Sequence, residues 1–326
     1  MSDAPLILAV PSKGRLQENA AAFFARAGLV FSQSRGALDY RGTLKGVPDV
    51  EVAFVSASEI VAHLAAGTAH LGITGEDLIR EQLADADEAV ELLTPLGFGN
   101  ANVIVAVPQA WIDVRTMADL DEVAADMRAR HGRKMRVATK YVNLTRRFFA
   151  ERGIADYLIV ESLGATEGAP GSGAAEIIVD ITTTGATLKA NALKILDDGM
   201  ILRSEANLVA SARAPWGERA RAAATLVLTR IAAEEEARTS REVRAAFDAT
   251  RAGEAEALAA ALGASLPYGR PQGPELVLHC PAGVVFDLVE GLRGLGARNA
   301  SVRTLDYLFR STNPLTERLL RRLGRG

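Results

Sequence analysis

The stretch Glu176-Ile-Ile-Val-Asp-Ile-Thr-Thr-Thr-Gly-Ala-Thr-Leu188 decides how this chain is read. Ile177 to Ile181 reads as a buried strand, and a Thr/Gly turn follows it. A helix is predicted from about Thr187 through Leu193 and Leu196. Asp180 stands at the strand's end, with Thr183, Thr184, Gly185, Ala186 and Thr187 just beyond. Hydroxyl donors, a glycine that admits close backbone approach, and the free N–H groups of a new helix form an anion cradle. A carboxylate beside such a cradle suits sugar hydroxyls or a magnesium ion rather than the phosphate itself. Plain N-capping would need only one of these residues. The constellation as a whole points to a phosphosugar site.

Outward from this stretch, short apolar runs alternate with helical ones. Leu6–Val10, Val50–Val55, His70–Thr74, Asn102–Val107, Met135–Thr139 and Tyr157–Val160 read as strands, with helices beginning at Leu16, Ala57 and Glu76 and spanning Met117–Arg130, Asn143–Arg152 and Leu188–Leu196. That alternation predicts an α/β protein with largely parallel sheets, whose ligands bind off the carboxyl ends of the strands. Leu96-Gly-Phe-Gly-Asn100 reads as a crossover between two lobes, with a return near Arg203–Asn207. The predicted domains are therefore a bilobal body over 1–232, with lobe I at 1–100 and 205–232 and lobe II at 101–204, and an appended region over 233–326. Glu234–Leu262, rich in Ala, Glu and Arg, reads as a linker helix with Val243, Phe247, Leu258 and Leu262 on one face. Glu275–Cys280, Val284–Leu295 and Ala300–Leu305 then read as strand, helix, strand, a small domain that must pack on the body or on another subunit.

The remaining motifs also fall where a strand gives way to a turn. Lys13 and Arg15 flank a glycine in Val10-Pro-Ser-Lys-Gly-Arg-Leu16, a place to hold a pyrophosphate. Gly75 and Asp77 lie in Leu71-Gly-Ile-Thr-Gly-Glu-Asp-Leu78, where the glycine allows close ligand approach and Asp77 offers an acceptor; acidic capping is the plainer account. Lys140 and Tyr141 end Arg136-Val-Ala-Thr-Lys-Tyr141 and suit a nucleotide. Glu167 sits in Ser162-Leu-Gly-Ala-Thr-Glu-Gly168 after another strand, and Arg35 and Arg41 lie in a polar loop expected to face solvent.

Composition narrows the function. A net charge of -3 without a basic stripe argues against nucleic acid. The single cysteine, Cys280, precludes an internal disulfide framework and suits a reducing cytoplasm. The N-terminus lacks the basic segment of a signal peptide, and no apolar run reaches membrane-spanning length. The four histidines are scattered, so no metal-ligand set stands in the sequence. Ser-His-Asp, Cys-His and P-loop arrangements are likewise missing from it.

Residues 5 to about 230 resemble the ATP phosphoribosyltransferase family, on PSKGRL (11–16), LGITGEDL (71–78), LGFGNANVIVAVP (96–108), RVATKYVNLTRRFF (136–149), SLGATEGAP (162–170) and EIIVDITTTGATLKANALK (176–194). The resemblance implies a two-lobed α/β catalytic body similar to the type II periplasmic-binding-protein fold, with a small ferredoxin-like α+β domain at the C-terminus. It implies transfer of the phosphoribosyl group of phosphoribosyl pyrophosphate to N1 of the adenine of ATP, releasing pyrophosphate, as the first step of histidine biosynthesis. Asp180 would then meet the ribose hydroxyls and Thr183–Thr187 the 5′-phosphate, with Glu176 beside them. Lys13 and Arg15 would face pyrophosphate or ATP phosphates. Gly75, Asp77, Lys140, Tyr141 and Glu167 would line the nucleotide side. Mg²⁺ would arrive with the substrate phosphates, Asp180 being the candidate protein ligand.

The long form of the family is a homo-oligomer, dimer or hexamer, inhibited by histidine. This tail resembles it through Val285–Arg298 but carries Leu266-Pro-Tyr-Gly-Arg-Pro-Gln-Gly273 where the family has a Pro-Thr-rich segment, and it runs on to Gly326. The body also has Ser56-Ala-Ser-Glu-Ile-Val61 in place of the family's Arg-x-x-Asp-Ile-Pro. Two other readings compete: a non-catalytic cytosolic binder of anionic ligands on the same scaffold, and a nucleobase-salvage phosphoribosyltransferase. The latter usually carries two adjacent acidic residues before its TTG, whereas Ile181 follows Asp180 here.

Overall fold

Val103 to Val107 and Ile177 to Val179 have no face left for water: each residue is fully buried, as strands covered on both sides must be. In the computed structural model, which describes residues 4–33 and 40–324, such runs form the middles of two sheets. The strands in chain order are β1 (Leu6–Pro11), β2 (Val30–Gln33), β3 (Arg41–Lys45), β4 (Val50–Val55), β5 (Leu71–Gly75), β6 (Val90–Pro95), β7 (Asn102–Pro108), β8 (Met135–Thr139), β9 (Tyr157–Glu161), β10 (Ile177–Thr182), β11 (Leu193–Leu202), β12 (Ala206–Ser211), β13 (Ser240–Ala246), β14 (Glu275–Pro281) and β15 (Arg298–Arg303).

The first sheet runs β2-β3-β4-β1-β5-β12-β6 and the second β11-β7-β10-β8-β9. The chain passes from the first sheet to the second between Pro95 and Asn102 and returns between Leu202 and Ala206. The architecture is thus two α/β lobes with two short crossings between them. The sheets are mixed rather than largely parallel. β1 runs parallel to β4 and β5, and β8 to β9 and β10, but β12 is antiparallel to both its neighbours and β7 is antiparallel to β10 and β11. β3, in the meander β2-β3-β4, is antiparallel to both its neighbours as well, while β7 and β12 are the strands that open directly after the two crossings.

Helices Gly14–Arg26 and Glu218–Thr239 cover one face of the first sheet with Phe23, Phe24, Val227 and Ile231, while Ala57–Ala65 and Glu76–Gln82 cover the other through Ile60, Leu64 and Ile79. Met117–His131 and Val142–Glu151 bury Leu120, Phe148 and Phe149 against the second sheet.

Two expectations about the helices fail. The helix after the TTG turn spans only Ala186–Ala190, and Leu193 and Leu196 belong to β11, where they sit buried among the residues of β7. The Ala/Glu/Arg-rich stretch expected to be one linker helix is interrupted: Glu218–Thr239 ends at Thr239, and Ser240–Ala246 is the central strand of a third, antiparallel sheet ordered β14-β13-β15. Helices Ala252–Ala261 and Val285–Gly294 close that domain's own core with Ala255, Leu288 and Leu292 over Val243, Leu276 and Leu278. Arg41, expected in a loop, opens β3 and pairs with Glu51 at 3.2 Å; Arg35 lies outside the described residues.

Beyond β15 the chain returns to the first lobe. The Leu308 amide donates to the Ala233 carbonyl, and Tyr307 donates its hydroxyl to the Arg26 carbonyl at 2.9 Å. Helix Pro314–Leu323, capped by the Asn313 side chain, buries Leu315 and Leu319 in the first lobe's core. Arg318 of that helix donates to the Leu92 and Leu93 carbonyls of β6, the edge strand, at 3.0 and 2.9 Å. An edge with occupied carbonyls offers no template to another strand.

Candidate active site

At the carboxyl end of β10 the backbone stops being a strand because Gly185 takes φ +74°, a left-handed conformation that side-chain-bearing residues enter at a cost. Its N–H is accepted by the Thr182 hydroxyl at 2.9 Å, and the Ala186 N–H reaches the Thr184 hydroxyl at 3.4 Å. Thr183 donates to the Asn100 carbonyl at 2.9 Å, which ties the turn to the crossing between lobes. Thr187 is exposed. Together Asn100, Glu167, Asp180, Ile181, Thr182, Thr183, Thr184, Ala186, Thr187 and Leu188 line a cleft of about 350 Å³. A five-residue helix contributes little macrodipole, so the cradle rests on hydroxyls and turn N–H groups more than on the longer helix expected from sequence.

Asp180 is half-buried in this cleft, and its carboxylate accepts the Ile181 N–H at 2.8 Å. Burial pushes its pKa above the usual aspartate value; that N–H and the Lys140 charge pull it down, and Glu167 adds to the rise. A carboxylate with little local compensation is suited to hydroxyls or a cation brought by a ligand. Asp180 and Glu167 are the two carboxylates of the cleft, and no group of three or more metal-ligating side chains occurs among the described residues. That donor set fits Mg²⁺, which is usually held by one or two carboxylates with the rest of its shell from water and phosphate oxygens.

The structure separates the other expected residues into three groups. Lys13 and Arg15 are exposed at the start of helix Gly14–Arg26, and neither side chain forms an ion pair or hydrogen bond among the described residues. Their charges are open to a ligand.

Gly75, Asp77 and Tyr141 instead serve one another. Asp77 is 4% exposed and accepts from the Tyr141 hydroxyl at 2.8 Å and from the Ser204 hydroxyl at 2.9 Å, while its own N–H donates to Ser204 at 2.9 Å. Tyr141 is 1% exposed; burial first, then the Asp77 charge, drive its phenol far above the ordinary value, so it stays a donor. Gly75 has φ −75°, which any residue can adopt, but a Cβ there would lie 2.2 Å from Asp77 Oδ1. Its bareness makes room for the aspartate. Lys140 is exposed, with Nζ 5.1 Å from the centre of the Tyr141 ring.

Glu176 lies apart. It precedes β10, four residues before Asp180, which at about 3.3 Å per residue puts it about 13 Å away along the strand. There it accepts from Arg136 Nη2 at 2.7 Å and Arg133 Nη1 at 2.8 Å. Burial alone would raise its carboxyl; the arginine and backbone hydrogen bonds outweigh that and hold it at about 2. It joins β10 to β8 and is not among the residues that line the cleft.

Sequence reasoning did not single out Asn100, which lines the cleft, or Ser204, which bonds Asp77. Asn100 and Ser204 meet their partners across 83 and 127 positions, and no local pattern signals such pairs. A cavity of similar size, about 320 Å³, opens between helix Glu218–Thr239 and residues 308–315, but it gathers none of the motif residues.

Comparison with known proteins bears on this cleft. The family model "HisG: ATP phosphoribosyltransferase" matches residues 56–233. An ATP phosphoribosyltransferase of Afipia carboxidovorans is 60% identical over 98% of this chain and 99% of its own, and one of Bradyrhizobium diazoefficiens is 60% identical over 97% and 98%. Among solved structures, a chain of the ATP phosphoribosyl transferase (HisG:HisZ) complex from Thermotoga maritima superposes with TM-score 0.53 at 25% identity, covering 69% of this chain and 95% of that one.

Proposed function

This chain belongs to the ATP phosphoribosyltransferase family, and from that membership we propose how its cleft performs the family's reaction. The enzyme transfers the phosphoribosyl group of phosphoribosyl pyrophosphate to N1 of the adenine of ATP, the first step of histidine biosynthesis. In our reading the turn Thr183–Thr187 receives the 5′-phosphate and Asp180 the ribose hydroxyls. The observation that carries it is the gathering of Thr182, Thr183, Thr184 and Thr187 around one half-buried carboxylate at the end of β10.

The chemistry asks for little else. The N1 lone pair forms a bond to the anomeric carbon while the bond from that carbon to the pyrophosphate oxygen breaks, its electron pair leaving with pyrophosphate. The nucleophile already holds its lone pair, so no strong base is needed. What lowers the barrier is holding two anionic substrates in line and offsetting charge on the leaving group. We assign the second task to Lys140, Lys13 and Arg15, whose charges are exposed. Asp180 and Glu167 would hold Mg²⁺ together with substrate phosphates; when bound, the ion supplies further positive charge at the leaving pyrophosphate. Gly75, Asp77 and Tyr141 are withdrawn from direct ligand contact on account of their burial and mutual bonds. We further place the enzyme in the cytoplasm as a homo-oligomer, in keeping with its lone, buried cysteine; no helix among the described residues is long and apolar enough to cross a membrane.

The test is the absorbance change on phosphoribosyl-ATP formation by the purified chain with Mg²⁺, repeated with histidine to probe the diverged tail. Asp180→Ala and Thr187→Ala should each lower kcat/KM at least ~100-fold, about 2.7 kcal/mol of transition-state stabilisation, without loss of fold. Near-wild-type turnover in either variant would remove the phosphosugar assignment.

A further inference from the structure

Tyr141 joins two things that the cleft needs kept in register. Its hydroxyl is fixed to Asp77, a residue of the first lobe, and Asp77 is in turn fixed to Ser204 in the returning crossing. Its backbone belongs to the second lobe: the Tyr141 N–H is accepted by the Thr139 hydroxyl at 2.8 Å, and its carbonyl accepts the Thr145 hydroxyl at 2.6 Å. A second contact runs alongside. Glu81 accepts the Asn143 and Leu144 N–H groups, each at 2.9 Å, and so caps helix Val142–Glu151 from the opposite lobe. The residue between Thr139 and Tyr141 is Lys140, and its ammonium lies 5.1 Å from the centre of the Tyr141 ring, within the range of a cation–π contact.

We propose that Tyr141 is a positioning residue, a strut whose hydroxyl is bolted across the lobes to Asp77 and Ser204 and whose ring sets where the Lys140 ammonium stands beside the cleft. The placement is economical. Lysine has a long, rotamer-rich stem and a strongly hydrated head, so an exposed one samples many positions unless something steers it. A buried ring with a fixed hydroxyl cannot swing, and an ammonium drawn to its face gives up part of that freedom before any substrate arrives. The Lys140 charge reaches Asp180 on the neighbouring strand β10, which agrees with an ammonium directed toward the cleft. The same bolt fixes the lobes relative to one another at a single buried point, so ligand groups held by Lys13 and Arg15 on one lobe and by the Thr turn on the other keep a set spacing. The proposal rests on the cleft reading above only for what Lys140 does to substrate.

The experiment compares the full chain with Tyr141→Phe, which keeps the ring and deletes the bolt, and with Ser204→Ala, which loosens Asp77 from the other side. Two readouts are taken on variants shown by circular dichroism to be folded. The first is kcat and KM for each substrate. The second is the rate at which trace acetic anhydride acetylates Lys140, followed by peptide mass spectrometry, with exposed Lys45 as internal control. The expected result in Tyr141→Phe is a ~10- to 50-fold fall in kcat with KM changed less than ~3-fold, and a Lys140 acetylation rate raised at least ~3-fold against an unchanged Lys45. Ser204→Ala should move both readouts the same way by a smaller factor. If either kcat or the Lys140 rate stays at the wild-type value in folded Tyr141→Phe, the proposal is overturned. A wild-type chain without turnover would sink the proposed function instead, and the acetylation ratio alone would then decide whether Tyr141 positions Lys140.

Discussion

Replacing Gly75 by alanine separates two accounts of that glycine by the sign of a stability change. At φ −75° alanine is conformationally welcome, and a Gly→Ala change at such a site normally stabilises by about 0.4–1 kcal/mol through the unfolded chain. Here the new methyl would sit 2.2 Å from Asp77 Oδ1 and 3.8 Å from the Ser204 hydroxyl. The carboxylate must therefore rotate away, and it is held by hydroxyl hydrogen bonds from Tyr141 and Ser204. A hydrogen bond to a charged group contributes about 1.5–3 kcal/mol, so loss of both costs about 3–6 kcal/mol. Subtracting the entropic gain leaves a net loss of about 2–5 kcal/mol, a fall of ~4–10 °C in Tm at about 2 °C per kcal/mol for a chain of this size. The assay is thermal unfolding of Gly75→Ala followed by circular dichroism. An unchanged or higher Tm would refute the reasoning, because it would show that Asp77 moves freely and that the buried network does not hold it.

Glu176→Gln should leave turnover near wild type, because the residue sits at the far end of β10 from the cleft; a kcat/KM loss beyond ~10-fold would return it to the site. The same change should cost about 2 kcal/mol at pH 7 in urea unfolding, after discount for the partial exposure of Arg133 and Arg136. The folded carboxyl is depressed to about 2 while the unfolded one titrates near 4.3, so this stability is present above the unfolded value and is lost as pH falls through the folded one. A gap between the two proteins that persisted unchanged down to pH 2 would contradict the assignment. Leu319→Ala, at a position 1% exposed, should cost about 2–4 kcal/mol by the same measurement, and a loss below 0.5 kcal/mol would mean that the C-terminal helix is not docked in solution.

The cleft was legible because its signal is local. A β-branched run, an aspartate, hydroxyls and a glycine follow one another within a few residues, and the positive φ of Gly185 is what such a turn demands. The bolt was illegible for the opposite reason. Asp77 and Tyr141 are 64 positions apart, and a TGED turn looks the same whether its glycine admits a ligand or an aspartate. β13 was hidden by composition. Val243 and Phe247 stand four apart, a helical spacing, among alanines, glutamates and arginines that favour helix. Pairing on both sides with β14 and β15, and burial of Val243, Ala245 and Phe247 on alternate positions, overrode that propensity. Leu193 and Leu196 misled in the same way, since three-residue spacing suits a helix until β7 offers a ladder to join.

The return of the chain to the first lobe changes what kind of object the third domain is. It is moored at both ends, by helix Glu218–Thr239 on the way out and by Tyr307, Leu308 and helix Pro314–Leu323 on the way back. A pendant on one string can tumble; a body on two lines fixed to the same hull can only rock. Any load placed on the third sheet is therefore delivered as torque to the first lobe, and it passes to the second lobe through the crossings, the Asp77–Tyr141 bolt and the Glu81 contacts to Asn143 and Leu144. A protease nick in one mooring should leave the third domain in place, and release should require both to be cut.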